Sequence, residues 1–364
     1  MIHTDFKSEK FRFELVRQIQ TNHIKIFQYA TFLHKSPSLF FTFELPFHSE
    51  IKSKLIYTRV DTKTLVYQLT HKSKLKFILK IYFIKHLNES KNEGIQNYEI
   101  EIKYLRLFQD MILSCVCPHF VLAIGHCVVN LSQIISLIPK ELQITDGKYM
   151  VLLSECAESS VYQLVKTKKI SLYCLGGILF QVLIVLVILQ DKYPSFRHND
   201  LHCGNVLIQT IEAKKLFVMY TVLHQNYFLN VEECALRCLL WDFFFASMLE
   251  KDFRPQVKEI CKIKNSKICQ NKYFDVHRFL DSLYSCLIDS DCKTPFYTEI
   301  KEIIHSFIPI HLRNLSHDEK MELKLFETEL FTAQHVIEHS FFNVYRKEPD
   351  YKFNIINHYV YPSK

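Results

Sequence analysis

From Leu172 to Leu189 the chain reads LYCLGGILFQVLIVLVIL, eighteen residues in which Gln181 is the only strongly polar side chain. A segment this long and this apolar has two physical solutions, a membrane span or a helix enclosed by protein on every side. Lysines flank it at both ends (Lys168 and Lys169 before, Lys192 after), so the charge asymmetry that orients a span is missing. Directly downstream, after the polar connection Asp191–Arg197, come His198-Asn199-Asp200-Leu201-His202-Cys203-Gly204-Asn205 and the apolar run Val206-Leu207-Ile208. Polar chemistry of that density belongs in water, which makes a membrane span the poorer reading and predicts a large core around a buried helix. A chain of 364 residues, 48% hydrophobic and 23% charged, can build such a core, and this balance excludes a disordered or collagen-like chain. Its length predicts two domains or lobes.

Partners and compartment follow from charge and cysteine usage. The net charge is +7, but Lys and Arg are scattered among 38 acidic residues and form no block, so nucleic acid is not an expected partner. The N-terminal MIHTDFKSEKFRFELVRQ contains no apolar stretch of the signal-peptide kind, so the twelve cysteines are expected to be reduced thiols of an intracellular protein. The closest pairs, Cys115/Cys117 and Cys234/Cys238, lack partners at zinc spacing and read as small hydrophobes.

The His198–Asn205 segment carries the most chemistry. It resembles a kinase catalytic loop, in which an aspartate accepts the proton of the attacking hydroxyl and an asparagine five residues on, where the chain turns back, holds a metal ion; Asp200 and Asn205 have that spacing. Taken alone the segment could equally be a polar turn between helix and strand. Downstream, Leu239-Leu240-Trp241-Asp242-Phe243-Phe244 ends an apolar run with an aspartate. Asp242 with Asn205 would make an oxygen pair suited to Mg²⁺, which keeps several waters and takes its remaining ligands from phosphate. Upstream, Lys76–Ile84 alternates as a strand that puts Lys80 on one face with Ile78 and Tyr82. Asn97–Phe108 has a helical pattern in which Glu101 shares a face with Tyr104, Leu105 and Phe108, whereas Glu99 shares one with Lys103 and Arg106. Glu101 is therefore the expected inward-facing acid of this helix, with Glu99 the alternative.

Taken together these residues resemble a eukaryotic-type serine/threonine protein kinase. More narrowly they resemble the haspin-related kinases and the kinases of large cytoplasmic DNA viruses, the poxvirus and iridovirus type. His202 stands where ordinary kinases of this class have lysine, 36 residues separate Asn205 from Asp242, and no Ala-Pro-Glu motif is present. Cys117-Pro118-His119-Phe120 resembles the element after the αC helix, Tyr149–Glu155 the strand entering the hinge, Tyr273–Leu280 the start of the αF helix, and Thr332–Phe342 the closing segment. The likeness runs from about residue 55 to about residue 345.

The resemblance implies a two-lobed α+β kinase fold. Its parts would be an extension over 1–44, a β-rich N-lobe over 45–153, a hinge over 154–158, a mostly helical C-lobe over 159–346 and a tail over 347–364. It implies ATP and Mg²⁺ as cofactors and protein Ser/Thr hydroxyls as substrate. Asp200 would be the catalytic acceptor and His202 a contact to the γ-phosphate. Lys80 with Glu101 would orient the phosphates, Asn205 and Asp242 would hold metal, and Ser154 would be the gatekeeper. Glu155 would face adenine through its backbone, and Asp275 would hold the catalytic loop. Two departures stand out. Val66 lies fourteen residues before Lys80, where the valine after a Gly-rich loop belongs, but Arg59–Leu65 contains no glycine. Either close approach to phosphate falls to Thr62, Lys63 and Thr64, or ATP affinity is poor. The second departure is Phe244 at the position of the usual glycine. Asn199 replaces an arginine that pairs with a phosphorylated loop, which implies activity without loop phosphorylation. The Lys-, Phe- and Ile-rich composition fits an AT-rich genome and, with the resemblance, a viral protein of the host cytoplasm or virion. The rival readings are a pseudokinase scaffold and a small-molecule phosphotransferase of the aminoglycoside or choline kinase type. The stretch from Lys10 to Leu33 is amphipathic and matches nothing in the family.

Overall fold

The computed structural model describes residues 51–59, 64–71, 76–84, 93–134, 147–167, 170–211, 216–248, 272–289, 295–313, 331–349 and 354–361. The 1–44 extension with its amphipathic stretch, and Thr62 and Lys63 of the expected phosphate loop, lie outside the described residues. The chain divides into two compact units, Met1–Gln109 with Val121–Cys156, and Asp110–Phe120 with Ala157–Lys364.

The first unit contains β1 (Ile51–Arg59), β2 (Thr64–His71), β3 (Lys76–Ile84), the greater part of helix α1 (Glu93–Leu113), β4 (Ala123–Asn130), the short α2 (Leu131–Ile134) and β5 (Lys148–Glu155). The strands form one antiparallel sheet in the order β1-β2-β3-β5-β4. On β2 the period of two is plain: Leu65, Tyr67 and Leu69 are buried while Val66, Gln68 and Thr70 between them are not. Register then sets Lys80 opposite Val66 on one side and Leu152 on the other. Helix α1 is longer at both ends than the Asn97–Phe108 pattern predicts. It ends at Leu113, just before Cys115, whose φ of 54° is left-handed, with the Val116 N–H donating to the Met111 carbonyl at 3.0 Å. Glycine commonly serves there, yet none of the described glycines has positive φ.

The second unit contains β6 (Ser159–Ser160), α3 (Val161–Thr167), α4 (Leu172–Lys192), β7 (Val206–Thr210), β8 (Leu216–Val222), β9 (Gln225–Asn230), β10 (Leu236–Leu240), α5 (Phe274–Asp289), α6 (Pro295–Phe307), α7 (Ala333–Ile337), α8 (Asn343–Arg346) and β11 (Asn354–Tyr361). Helix α4 is the apolar run, started by Ser171 accepting the Cys174 N–H at 3.1 Å. It is long and apolar enough to cross a membrane, with a mean hydropathy of 2.7, but every residue from Cys174 to Gln190 is buried within the protein, as a core helix would be. The strongly polar side chain inside that run is hydrogen-bonded through both its amide nitrogen and its amide oxygen. Gln181 Nε2 donates to the carbonyls of Gly177 and Leu236, and its Oε1 accepts the Cys238 N–H at 3.0 Å. Strand β10 pairs with β7 along one edge, and Gln181 satisfies backbone groups on the other edge of this strand, which leads to Asp242.

The long insertion before Asp242 forms the β8–β9 hairpin, and residues from the expected tail join it as β11, parallel to β8. Tyr359 of β11 stacks on Tyr220 at 5.6 Å. The Tyr220 hydroxyl lies 3.0 Å from His119 Nε2, and His119 Nδ1 donates to the Cys238 carbonyl at 2.9 Å. The Pro-His-Phe element, the insertion and β10 are thus wired together within this unit. Replacing Gln181 with Leu leaves the Cys238 N–H and the Leu236 carbonyl buried without that partner, so unfolding free energy falls by about 1–3 kcal/mol. A denaturant titration checks this, and an unchanged midpoint would contradict the role given to Gln181.

Candidate active site

In the first unit, Lys80 and Glu101 form a buried ion pair. The Lys80 ammonium lies 3.2 Å from both carboxylate oxygens, and the two residues are 5% and 1% exposed. The strand alternation explains the meeting: Tyr82, on the same face of β3, donates its hydroxyl to Glu101 Oε2. On α1, Tyr104, Leu105 and Phe108 are buried with Glu101 on the expected face. Burial on this scale makes each charge depend on the other, since removing one partner strands a charge in apolar surroundings.

In the second unit the His198–Asn205 loop hangs from α5. The Asp275 carboxylate, 2% exposed, accepts the His198 N–H at 2.7 Å and the Asn199 N–H at 2.9 Å. Burial pushes the Asp275 pKa up, while His198, Arg197 and the two backbone donors pull it back. Asn199 has a φ of 63°, a conformation asparagine tolerates, and its Nδ2 donates to the Phe245 carbonyl and Ser247 Oγ. Arg197 and Ser247 exchange backbone hydrogen bonds at 2.8 Å in both directions. The loop is therefore fastened to the segment after Asp242 as well as to α5.

Asp200 is held from several sides. Asn205 Nδ2 donates to its carbonyl at 2.9 Å and reaches Oδ2 at 3.3 Å, Arg278 Nη2 lies 3.3 Å from Oδ1, and His202 Nε2 is 3.7 Å from Oδ2. Burial alone would raise the Asp200 pKa, but His202, His198 and Arg278 together hold it below the usual carboxylate range. His202 Nδ1 accepts the Gly204 N–H at 3.0 Å, which leaves Nε2 as the proton-bearing nitrogen facing Asp200. A Cβ at residue 204 would lie 2.7 Å from the His202 ring, so any larger residue there would displace the ring from this approach.

Asp242 is set beside Asn205 by backbone contacts. The Trp241 N–H donates to the Asn205 carbonyl at 3.1 Å, and His198 Nε2 donates to the Trp241 carbonyl at 2.9 Å. Asp242 has a φ of 62° and a ψ of 61°, again a left-handed residue of a type that accepts it. The donor chemistry suits Mg²⁺. With Nδ2 spent on Asp200, Asn205 offers its amide oxygen, and Asp242 offers carboxylate oxygens. No group of three His, Cys, Asp or Glu side chains that could hold a metal occurs among the described residues. A cation here would therefore complete its shell with water and phosphate.

Of the other expected site residues, Val66 lies across from Lys80 on β2, and Thr62 is outside the described residues. Ser154 is fully buried on β5. Glu155, also buried, has its N–H committed to the Leu122 carbonyl at 3.0 Å, and its Oε1 accepts the Leu122 N–H at 2.7 Å. Sequence reasoning missed Arg278 and Ser282, whose Oγ accepts the Cys203 N–H at 3.0 Å. The signal was present: both stand on the helical face of Asp275, three and seven residues on.

No protein-family model matches the chain. A curated protein of Acanthamoeba polyphaga mimivirus, named "Putative serine/threonine-protein kinase", is 24% identical over 249 residues, which covers 59% of this chain and 52% of the relative. The chain thus spans about half the length of that relative. The similarity supports a kinase-like relationship. With a β-rich first unit and a second unit rich in helices, the architecture is compatible with a kinase fold.

Asp275→Ala leaves two buried backbone donors without their acceptor and so costs about 2–4 kcal/mol of stability. The His198 and Asn199 amides should then exchange with solvent faster, as read by hydrogen exchange with mass spectrometry. Unchanged protection of that peptide would contradict the anchoring role.

Proposed function

We propose that this protein is an ATP- and Mg²⁺-dependent serine/threonine protein kinase of viral origin, akin to the haspin-related and large-DNA-virus kinases. The observation that carries the reading is the coupling at the catalytic loop. Asn205 donates its amide to Asp200, and its own carbonyl receives the N–H of the residue before Asp242. An acceptor for a hydroxyl proton and two oxygen ligands for a divalent cation are thereby held in one hydrogen-bonded unit. His202, the long insertion and the absence of Ala-Pro-Glu support the narrower kinship.

In this reading Asp200 receives the hydrogen of a substrate Ser or Thr hydroxyl. A carboxylate held below its ordinary pKa is a weak base, so it orients the hydroxyl first and takes the proton late, as the bond to phosphorus forms. Lys80, fixed by Glu101, presents its ammonium to the α- and β-phosphates. Asn205 and Asp242 hold Mg²⁺, which when bound neutralises phosphate charge. Asn199 already ties the segment after Asp242 in place through Phe245 and Ser247, so activity needs no phosphate on that segment.

The test is transfer of labelled phosphate from ATP to casein and to a basic protein, using phosphatase-treated enzyme. Wild type should transfer, and Asp200→Asn should lower the rate by about 10²–10⁴-fold. Equal rates in the two proteins would remove Asp200 from the chemistry. Transfer to choline or aminoglycosides in place of proteins would select the small-molecule reading. Absence of any transfer by folded wild type would select the pseudokinase, and loss of activity on phosphatase treatment would overturn the role of Asn199.

A further inference from the structure

Helix α5 presents Asp275, Arg278 and Ser282 at intervals of three and four residues, the spacing of a single helical face. Each touches the catalytic loop at a different point: Asp275 at the N–H groups of His198 and Asn199, Arg278 at the Asp200 side chain, and Ser282 at the Cys203 N–H. Two of these residues fix backbone, and one fixes the reacting side chain. We propose that Arg278 is a positioning residue for phosphoryl transfer, holding Asp200 by Oδ1 and so fixing the plane in which its carboxylate meets the substrate hydroxyl. This inference rests on the kinase reading above.

Torsion about the last bond of an aspartate side chain is broad and roughly two-fold, so an unrestrained carboxylate samples many planes. Here the two oxygens have different partners, Arg278 Nη2 at 3.3 Å on Oδ1, and Asn205 Nδ2 at 3.3 Å with His202 Nε2 at 3.7 Å on Oδ2, and together they define the plane. The Arg278 and Asp200 side chains are 18% and 26% exposed, so the pair is shielded from solvent more than a surface ion pair. Arginine suits the task because its guanidinium is rigid and keeps its charge at every working pH. Misplacing a reacting group by about an ångström can cost about 10²-fold in rate.

The experiment uses the full chain, with steady-state kinetics on a protein substrate for wild type, Arg278→Met, Arg278→Lys, Asp200→Asn and the Arg278→Met/Asp200→Asn double variant. Arg278→Met should lower kcat by about 10–100-fold with KM for ATP within about two-fold of wild type. Arg278→Lys, which restores the charge without the fork, should recover part of the loss. In the Asp200→Asn background, Arg278→Met should cost nothing further, because the residue acts through Asp200. Three results would overturn the proposal: wild-type kcat in Arg278→Met, a rise in KM for ATP alone, or the same fold-loss whether or not Asp200 is present. Should Arg278→Met fail to fold, Arg278→Lys carries the test, and a wild-type kcat there together with full additivity in its own Asp200→Asn double variant would overturn it. An inactive wild type would instead bring down the kinase reading itself, and this inference with it.

Discussion

The Asp275 carboxylate is buried on α5 and accepts hydrogen bonds from two consecutive backbone N–H groups, those of His198 and Asn199. Much of the second unit's chemistry follows from that contact. With its backbone fixed, His198 turns Nε2 to the Trp241 carbonyl, and Trp241 N–H meets the Asn205 carbonyl, so the residue that follows, Asp242, is delivered to the same loop. Asn199 takes up a left-handed conformation and ties Phe245 and Ser247. Burying a carboxylate is costly unless donors and charges compensate it, and here Arg197, His198 and the two N–H groups do so. One buried acceptor thus organises a loop that would otherwise be a polar turn.

Much of the candidate site was legible from periodicity. Alternation on β3 and the helical face of α1 turn Lys80 and Glu101 inward, and Glu101 rather than Glu99 follows from the apolar company of Tyr104, Leu105 and Phe108, whereas their pairing was what the kinase resemblance implied. The buried helix was legible for the same reason, since an apolar surface on all sides needs protein on all sides. Arg278 and Ser282 escaped notice because a polar residue on an amphipathic helix reads as solvent-facing until something is known to pack over it. The role of Gln181 was hidden in a similar way. Its partners, Leu236 and Cys238, are backbone groups with no side-chain signature, more than fifty residues downstream. The parallel pairing of β11 with β8 joins segments far apart in sequence, and neither segment carries a pattern that names its partner.

Scarcity of glycine shapes the local structure. Among the described residues, left-handed positions fall instead to Cys115, Asn199, Leu223, His224 and Asp242. At the loop the two positions are taken by Asn and Asp, the non-glycine residues that tolerate them best, and each is held by neighbours that over-determine its conformation. Gly204 is kept for a different reason, the close approach of the His202 ring. Gly176 inside α4 is similar, because a Cβ there would lie 2.8 Å from the Tyr345 hydroxyl. Glycine at these two positions therefore marks tight packing rather than turning.

In the kinase reading proposed above, Asn205 and Asp242 form an oxygen-ligand site for a cation that works together with ATP. Isothermal titration of ATP into the full chain, with and without Mg²⁺, tests it for wild type and Asp242→Asn. Binding by wild type should require Mg²⁺ for its full strength, and Asp242→Asn should weaken the Mg²⁺-dependent part by about tenfold or more. Equal ATP binding with and without Mg²⁺, or no difference between the two proteins, would contradict it.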